Sequence, residues 1–250
     1  MGGPRRRLRP GTELAAGGER LWVEAVGGRG AVHLRFNDAR AARRLMSRVG
    51  EPPLPPYIHR APGEDLRADR RRYQTVYAAR PGSVAAPTAG LHFSPGLLDD
   101  LRRAGIAMPR VTLHVGWGTF QPLPDGDLEG FRLHAERFEV PPAAAEAVAK
   151  CRARGGRVVA CGTTAARVLE STAGPGGAPE ARSGETELFI APGYRWRLVD
   201  GLLTNFHLPR SSLLMLVSAL AGRERVLAAY AEAVRGQYAF YSYGDAMLLL

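Results

Sequence analysis

The spacing of apolar residues changes along this chain, and each change predicts a different kind of element. Over Glu19–Val26 apolar and polar side chains alternate between Gly17-Gly18 and Gly27-Gly28, which predicts a strand, with Ala31–Phe36 as its partner. Asp38 then precedes a stretch in which Ala41, Leu45, Met46 and Val49 recur at helical spacing, predicting a short amphipathic helix over 39–49. Pro52, Pro53, Pro55 and Pro56 end it, because proline fixes φ and removes backbone donors; the cluster reads as a linker or a rigid lid. Beyond residue 82 strands and helices alternate. Helices are predicted over 95–103, behind the Ser94-Pro95 start, and over 142–154, 163–171, 211–221 and 224–235. Strands are predicted over 110–115, 157–160, 187–190, 195–199, 202–206 and 238–243. Repeated strand-helix order points to an α/β domain with a parallel or mixed sheet, either a barrel or open. The organisation divides near residue 50, with a small β unit and helix over 1–50 and the α/β part over 51–250.

Composition narrows the function classes. With 45% hydrophobic and 23% charged residues the chain is globular, and 30 glycines with 19 prolines predict long ordered loops, which often carry function. The longest apolar run, Leu213–Ala221 with Ser218 inside it, is about half of a membrane span. The arginines of residues 1–10 have no apolar stretch behind them, unlike a secretory leader, so the chain reads as cytoplasmic. Cys151 and Cys161 lack metal-type or redox-type spacing and read as buried thiols. Lys150, the single lysine, is a poor candidate for Schiff-base chemistry. The net charge of +10 is concentrated early: residues 1–80 hold 17 arginines against 8 acids. Such a cationic segment attracts phosphate polymers, although a solvated arginine-rich surface explains it as readily.

Four segments could carry chemistry, since polar groups at the carboxyl ends of strands converge on ligands in α/β domains. In Gly82–Phe93 small residues allow a ligand close to the backbone, with Tyr73, Tyr77 and Phe93 available to stack a flat base. His114–Phe120 joins a strand end to a Gly-Trp-Gly turn. Its spacing is not that of a dinucleotide loop, but a histidine there could relay protons. His134-Ala135-Glu136 mimics the H-x-E of zinc deaminases without their cysteines, so no metal site is expected; the pair could be an acid/base unit or a solvated strand edge. Thr204–Ser212 carries Asn205 and His207 where a strand ends and a helix begins, and Cys161-Gly162-Thr163-Thr164 makes a similar junction. Helix starts of this kind favour anions, yet each could be a plain cap.

Taken together, Pro53–Ile58, Tyr73–Phe93, His114–Phe120, Gly162-Thr163-Thr164 with Arg167, Thr204–Ser211 and Phe240–Met247 resemble, in order, the S-adenosylmethionine:tRNA ribosyltransferase-isomerase family of queuosine biosynthesis. That resemblance covers roughly residues 50–250, with 1–50 matching more loosely. It implies a barrel-like (TIM-like) α/β catalytic domain over 51–250, with 1–50 as the remnant of an inserted small β-barrel. The activity implied moves the ribosyl part of S-adenosylmethionine onto 7-aminomethyl-7-deazaguanine at the tRNA wobble position. There it is rearranged to the epoxycyclopentane of epoxyqueuosine, and adenine and methionine leave. S-adenosylmethionine is then the ribosyl-donor substrate, tRNA the partner, and the protein is expected to be a monomer away from membranes. Family members carry further residues before this start, including an Asn-Asp-Thr-Arg motif for which Asn37-Asp38-Ala39-Arg40 is no substitute. The chain therefore reads as N-terminally short, and weak or no turnover is expected from it alone.

Two proton handlers are needed, because a sulfonium acidifies the adjacent ribose C5′ hydrogens and adenine leaves more easily when protonated. The residues assigned to this are His114 and His207, with Glu136 and Asp245 in reserve. Pro87, Thr88, Ala89, Gly90, His92 and Phe93 would hold adenosine, beside Asn205. Thr163, Thr164 or the start of the helix at Ser211 would hold the methionine carboxylate. Two rival classes remain at this level: a non-catalytic RNA-binding module and a sugar-phosphate barrel enzyme.

Overall fold

The structure, a computed structural model, describes residues 8–27, 31–55, 57–61, 64, 67–116, 123, 126, 128, 130–175 and 177–250. Of the residues singled out above, 1–7, Gly28, Pro56 and Trp117–Phe120 lie outside the described residues. The chain divides into two compact units between Pro52 and Pro53, within the proline cluster.

In the first unit β1 (Glu13–Ala16), β2 (Glu19–Val26) and β3 (Val32–Phe36) form an antiparallel meander in that order. The predicted pair thus gains a strand on its other side, with Leu14 opposite Leu21 and Val23 opposite Leu34. Alternation in β2 buries Leu21 and Val23. Helix α1 (Ala41–Val49) begins where Asp38 Oδ1 accepts the N–H groups of Arg40 (2.7 Å) and Ala41 (2.9 Å), and Arg44 on its first turns pairs with both Glu19 and Asp38.

The second unit is larger. Its helices are α2 (Arg67–Arg72), α3 (Pro95–Arg103), α4 (Pro142–Ala153), α5 (Gly162–Ser171), α6 (Ser212–Ala221) and α7 (Arg223–Arg235). Its strands are β4 (Thr112–His114), β5 (Glu136–Glu139), β6 (Val159–Cys161), β7 (Ser183–Thr186), β8 (Gly201–Asn205) and β9 (Ala246–Leu249), and Thr88–His92 forms a 3₁₀ turn. Helix α3 starts as the sequence indicates, with Ser94 Oγ accepting the Leu97 N–H and Pro95 at the first position.

The unit is a mixed α/β structure. Among the described residues its strands form two three-stranded sheets, antiparallel β4-β5-β7 and mixed β6-β8-β9, with no closed barrel. Among the described residues the one parallel pair is β6 with β8, joined through an intervening helix; the other neighbours run antiparallel. The first unit is likewise an open meander over its described residues.

Helix α5 joins two cores. Ala166 and Leu169 belong to a cluster with Val148, Ala160, Leu198, Leu202, Leu216, Val217 and Val226, while Val168 faces Leu113, Val115, Phe138, Val140 and Ala144. Each of the leucine, valine and phenylalanine side chains contributes about 1.5–3 kcal/mol on burial, so α5 fixes both sheets at once.

Three predicted strands are not formed. Residues 187–190 are irregular, and the strand lies just before them at β7, where Ser183–Thr186 pairs with β5. Over 195–199 three of the five backbone donors go to a side chain: Glu170 accepts the N–H groups of Arg197, Leu198 and Val199, which takes these three out of any ladder. Residues 238–243 are a turn in which Tyr241 has φ +73° and Asp245 closes a ring with Ala239; the last strand follows at β9.

Candidate active site

The carboxyl ends of β6 and β8 lie side by side because Cys161 pairs with Leu203 in the parallel register. Helix α5 leaves directly from β6. Its first residue, Gly162, has φ +84°, a turn that a side-chain-bearing residue takes only with strain, and its Cα faces the Ala89 methyl of the 3₁₀ turn. That turn is drawn in closely on a second side. A Cβ on Gly90 would lie 1.9 Å from Tyr77 Oη and 2.8 Å from Thr75 Cγ2, so only glycine fits there. Tyr77 Oη in turn lies 3.9 Å from Cys161 Sγ, and burial pushes both of these groups up in pKa and keeps them neutral. The end of the turn is fixed from β8, where Asn205 Nδ2 and His92 Nε2 are 3.1 Å apart.

Ala89, Gly90, His92, Asn205 and the start of α5 at Gly162-Thr163-Thr164 are thereby gathered at one end of the β6-β8 sheet. Two buried oxygens in this cluster, Asn205 Oδ1 and Thr75 Oγ1, have no hydrogen-bond partner among the described residues. Cys161 gives α5 no side-chain cap, so the cap leaves the first amides of the helix without a side-chain acceptor. Pro87 and Phe93 flank the turn, half-buried. The arrangement offers a flat group a tight backbone surface with one amide oxygen, one hydroxyl and one imidazole around it.

The four residues assigned to proton handling stand on other segments, each in surroundings of its own. His114 is on β4, its ring against the backbone of Gly82, and its buried Nδ1 has no partner among the described residues. The 82–93 loop runs from there to the turn, held by Val84 N–H on the Val115 carbonyl and by Val115 N–H on Ser83 Oγ. His207 lies past β8, with Nε2 2.8 Å from Thr204 Oγ1 and its N–H donated to Tyr230 Oη at 2.7 Å. Phe206, Tyr230 and Phe240 pack together beside it. Burial drives the His207 pKa down to about 4, so the ring is neutral near pH 7 and has no proton to lend as an acid. No hydrogen bond joins His114 to His207. Asp245 is exposed and accepts the Ala239 N–H at 2.7 Å, closing the 239–245 turn.

Glu136 is buried at the start of β5. Its Oε1 accepts the Gly116 N–H (3.1 Å) and its Oε2 pairs with the guanidinium of Arg167 on α5. The motif reading of His134-Ala135-Glu136 missed this ion pair. The signal available was Arg167 itself, a cation inside the apolar run Ala165–Leu169, since an arginine on a buried face requires a partner. Among the described residues no three His, Cys, Asp or Glu side chains gather as metal ligands, and no helix is long and apolar enough to cross a membrane.

Comparison with known proteins places these features in a family. The model of the family described as queuosine biosynthesis protein matches residues 1–249. The S-adenosylmethionine:tRNA ribosyltransferase-isomerase of Anaeromyxobacter sp. (strain Fw109-5) is 53% identical over 250 residues, covering 100% of this chain and 71% of that protein. The enzyme of the same description from Gloeobacter violaceus is 53% identical over 253 residues, covering 99% of this chain and 69% of its own. The crystal structure of the S-adenosylmethionine tRNA ribosyltransferase from Thermotoga maritima superposes with a TM-score of 0.55 at 34% identity, covering 98% of this chain and 67% of that one. With matches running the length of the chain and sequence identity above half, the chain belongs to the S-adenosylmethionine:tRNA ribosyltransferase-isomerase family of queuosine biosynthesis.

Proposed function

We propose that this protein transfers the ribosyl moiety of S-adenosylmethionine to the 7-aminomethyl-7-deazaguanine at the wobble position of tRNA. It then rearranges that moiety to the epoxycyclopentane of epoxyqueuosine, releasing adenine and methionine in the cytoplasm. The observation that carries the reading is the convergence of His92, Asn205, Thr75 and the start of α5 around the closely packed Thr88–His92 turn.

In this reading the 87–93 turn and Asn205 hold the adenosine. Its C5′ carbon sits beside a positive sulfur, so a base of ordinary strength removes a C5′ proton, and protonation of adenine weakens its bond to the ribose. His114, with an unpartnered buried Nδ1, suits one of these transfers. His92, oriented by Asn205 and exposed on its other side, suits the second better than His207, which is buried and tied to Thr204. Glu136 then acts through Arg167 and the Gly116 amide, and Asp245 through the turn it closes, so both are positioning residues. A barrel-like domain around the reaction is part of the same proposal, as is the monomeric state.

The test is adenine release, with tRNA carrying the modified base, S-adenosylmethionine and protein in excess, followed by mass analysis of the nucleosides. Adenine formed together with an epoxycyclopentane-bearing nucleoside supports the reading, even if slow. No adenine, and no binding of S-adenosylmethionine by calorimetry, overturns it.

A further inference from the structure

Arg167 is the only buried arginine among the described residues, and its side chain is 7% exposed. Nε donates to the Leu188 carbonyl at 3.0 Å and Nη1 is paired with Glu136, which leaves Nη2 buried with no hydrogen-bond partner. An ionised donor left in that condition is costly unless an acceptor completes it. Arg167 lines a small cleft together with Glu136, His134, Phe189, Ser212 and Leu213.

Ser212 and Leu213 are the first residues of α6. The cap Ser211 Oγ accepts the Leu214 N–H (3.2 Å) and the Ser211 carbonyl accepts that of Met215 (3.2 Å), so the amides of 212 and 213 precede the intrahelical bonds. The cleft thus sets Arg167, whose Nη2 is buried without a partner, beside the positive end of a ten-residue helix. Glu136 cancels the formal charge of Arg167 and opposes a strongly charged guest, so a singly charged carboxylate fits better than a phosphate dianion. Phe189 and Leu213 add apolar side chains to the wall of the cleft.

We propose that this cleft binds the α-carboxylate of the methionyl end of S-adenosylmethionine, through Arg167 Nη2 and the start of α6. The proposal rests on the function given above and selects α6 rather than Thr163 or Thr164 for the carboxylate. Fixing that end would set the sulfonium at one position relative to the adenosine turn.

Calorimetric titration of the chain with S-adenosylmethionine and with its decarboxylated form tests this. The wild type should bind the decarboxylated compound roughly tenfold or more weakly, the scale of a lost charge-assisted pair. Arg167→Lys, which keeps a cation for Glu136 but not the planar fork, should weaken S-adenosylmethionine to a similar extent and leave the decarboxylated form nearly unchanged. Leu213→Glu, a partly exposed change that a helix start tolerates, should show the same selectivity and covers the case of a poorly folded Arg167 variant. Equal weakening of both compounds in the variants, or equal affinity of the wild type for both, overturns the carboxylate site while the function stands. Failure of the wild type to bind either compound removes both readings.

Discussion

At the scale of single residues, the surroundings of each histidine decide its chemistry more than its place in a motif. His207 stays neutral to about pH 4 in the fold, whereas an unfolded chain takes up that proton near pH 6.5. The unfolded state therefore binds more protons in this window, and stability falls as the pH is lowered from about 6.5 toward 4, by up to roughly 3 kcal/mol from this one ring. Urea denaturation at pH 7 and pH 4.5 should show that loss, and His207→Gln should flatten it; an unchanged slope would mean that the ring is solvated. His114 should behave differently. His114→Ala should lower kcat by about 10²–10⁴ if the ring moves a proton, with S-adenosylmethionine binding retained, as measured by adenine release here or in a longer relative. The sequence shows that His114 and His207 stand at strand ends. It does not show which ring is enclosed, because Tyr230, which accepts the His207 N–H, and Phe240, which packs on Phe206 and Tyr230, come from segments further along the chain.

Among elements, those bounded by local signals were legible and those defined by distant partners were not. The Ser94 cap, Asp38 ahead of α1 and the alternation in β2 each act within a few residues, and α3, α1 and β2 form where these signals place them. Residues 195–199 have a strand-like pattern, Arg-Trp-Arg-Leu-Val, but the donors of the last three are taken by a carboxylate some 28 positions earlier. Glu170 is fully buried and also accepts the Tyr194 hydroxyl at 3.1 Å, so four donors meet its two oxygens. Glu170→Gln turns an NH2 group toward some of them and should cost roughly 3 kcal/mol, read as a lower denaturation midpoint. The segment 194–199 should lose amide protection first. A loss below about 0.5 kcal/mol would show that the segment is held by packing of Leu198 and Val199 alone.

For the molecule as a whole, charge and topology make separate predictions. The +10 net charge, concentrated before residue 81, should give tRNA binding that weakens steeply between 50 and 200 mM salt, by roughly 10³-fold or more if six or more phosphates are contacted. Affinity that stays level over that range, measured by filter binding, would refute an electrostatic RNA contact. The α/β class was readable because it follows from element order. Sheet closure was not, since it depends on which strands pair, and among the described residues only β6 and β8 make the parallel contact that the order suggests.

One long-range clasp has a further consequence. Tyr57 Oη shares a 2.5 Å hydrogen bond with Ser242 Oγ and accepts the Ser242 N–H, while Asp69 accepts both Arg60 and the Tyr243 hydroxyl, across separations of 185 and 174 residues. Closing a loop of that length is entropically slow, so the chain between Tyr57 and Tyr73 should dock last in refolding and detach first under mild denaturant. A nascent chain emerging from the ribosome would complete this clasp only after the Tyr241–Tyr243 turn had been synthesised, leaving the arginines of α2 available to acidic polymers in the interval.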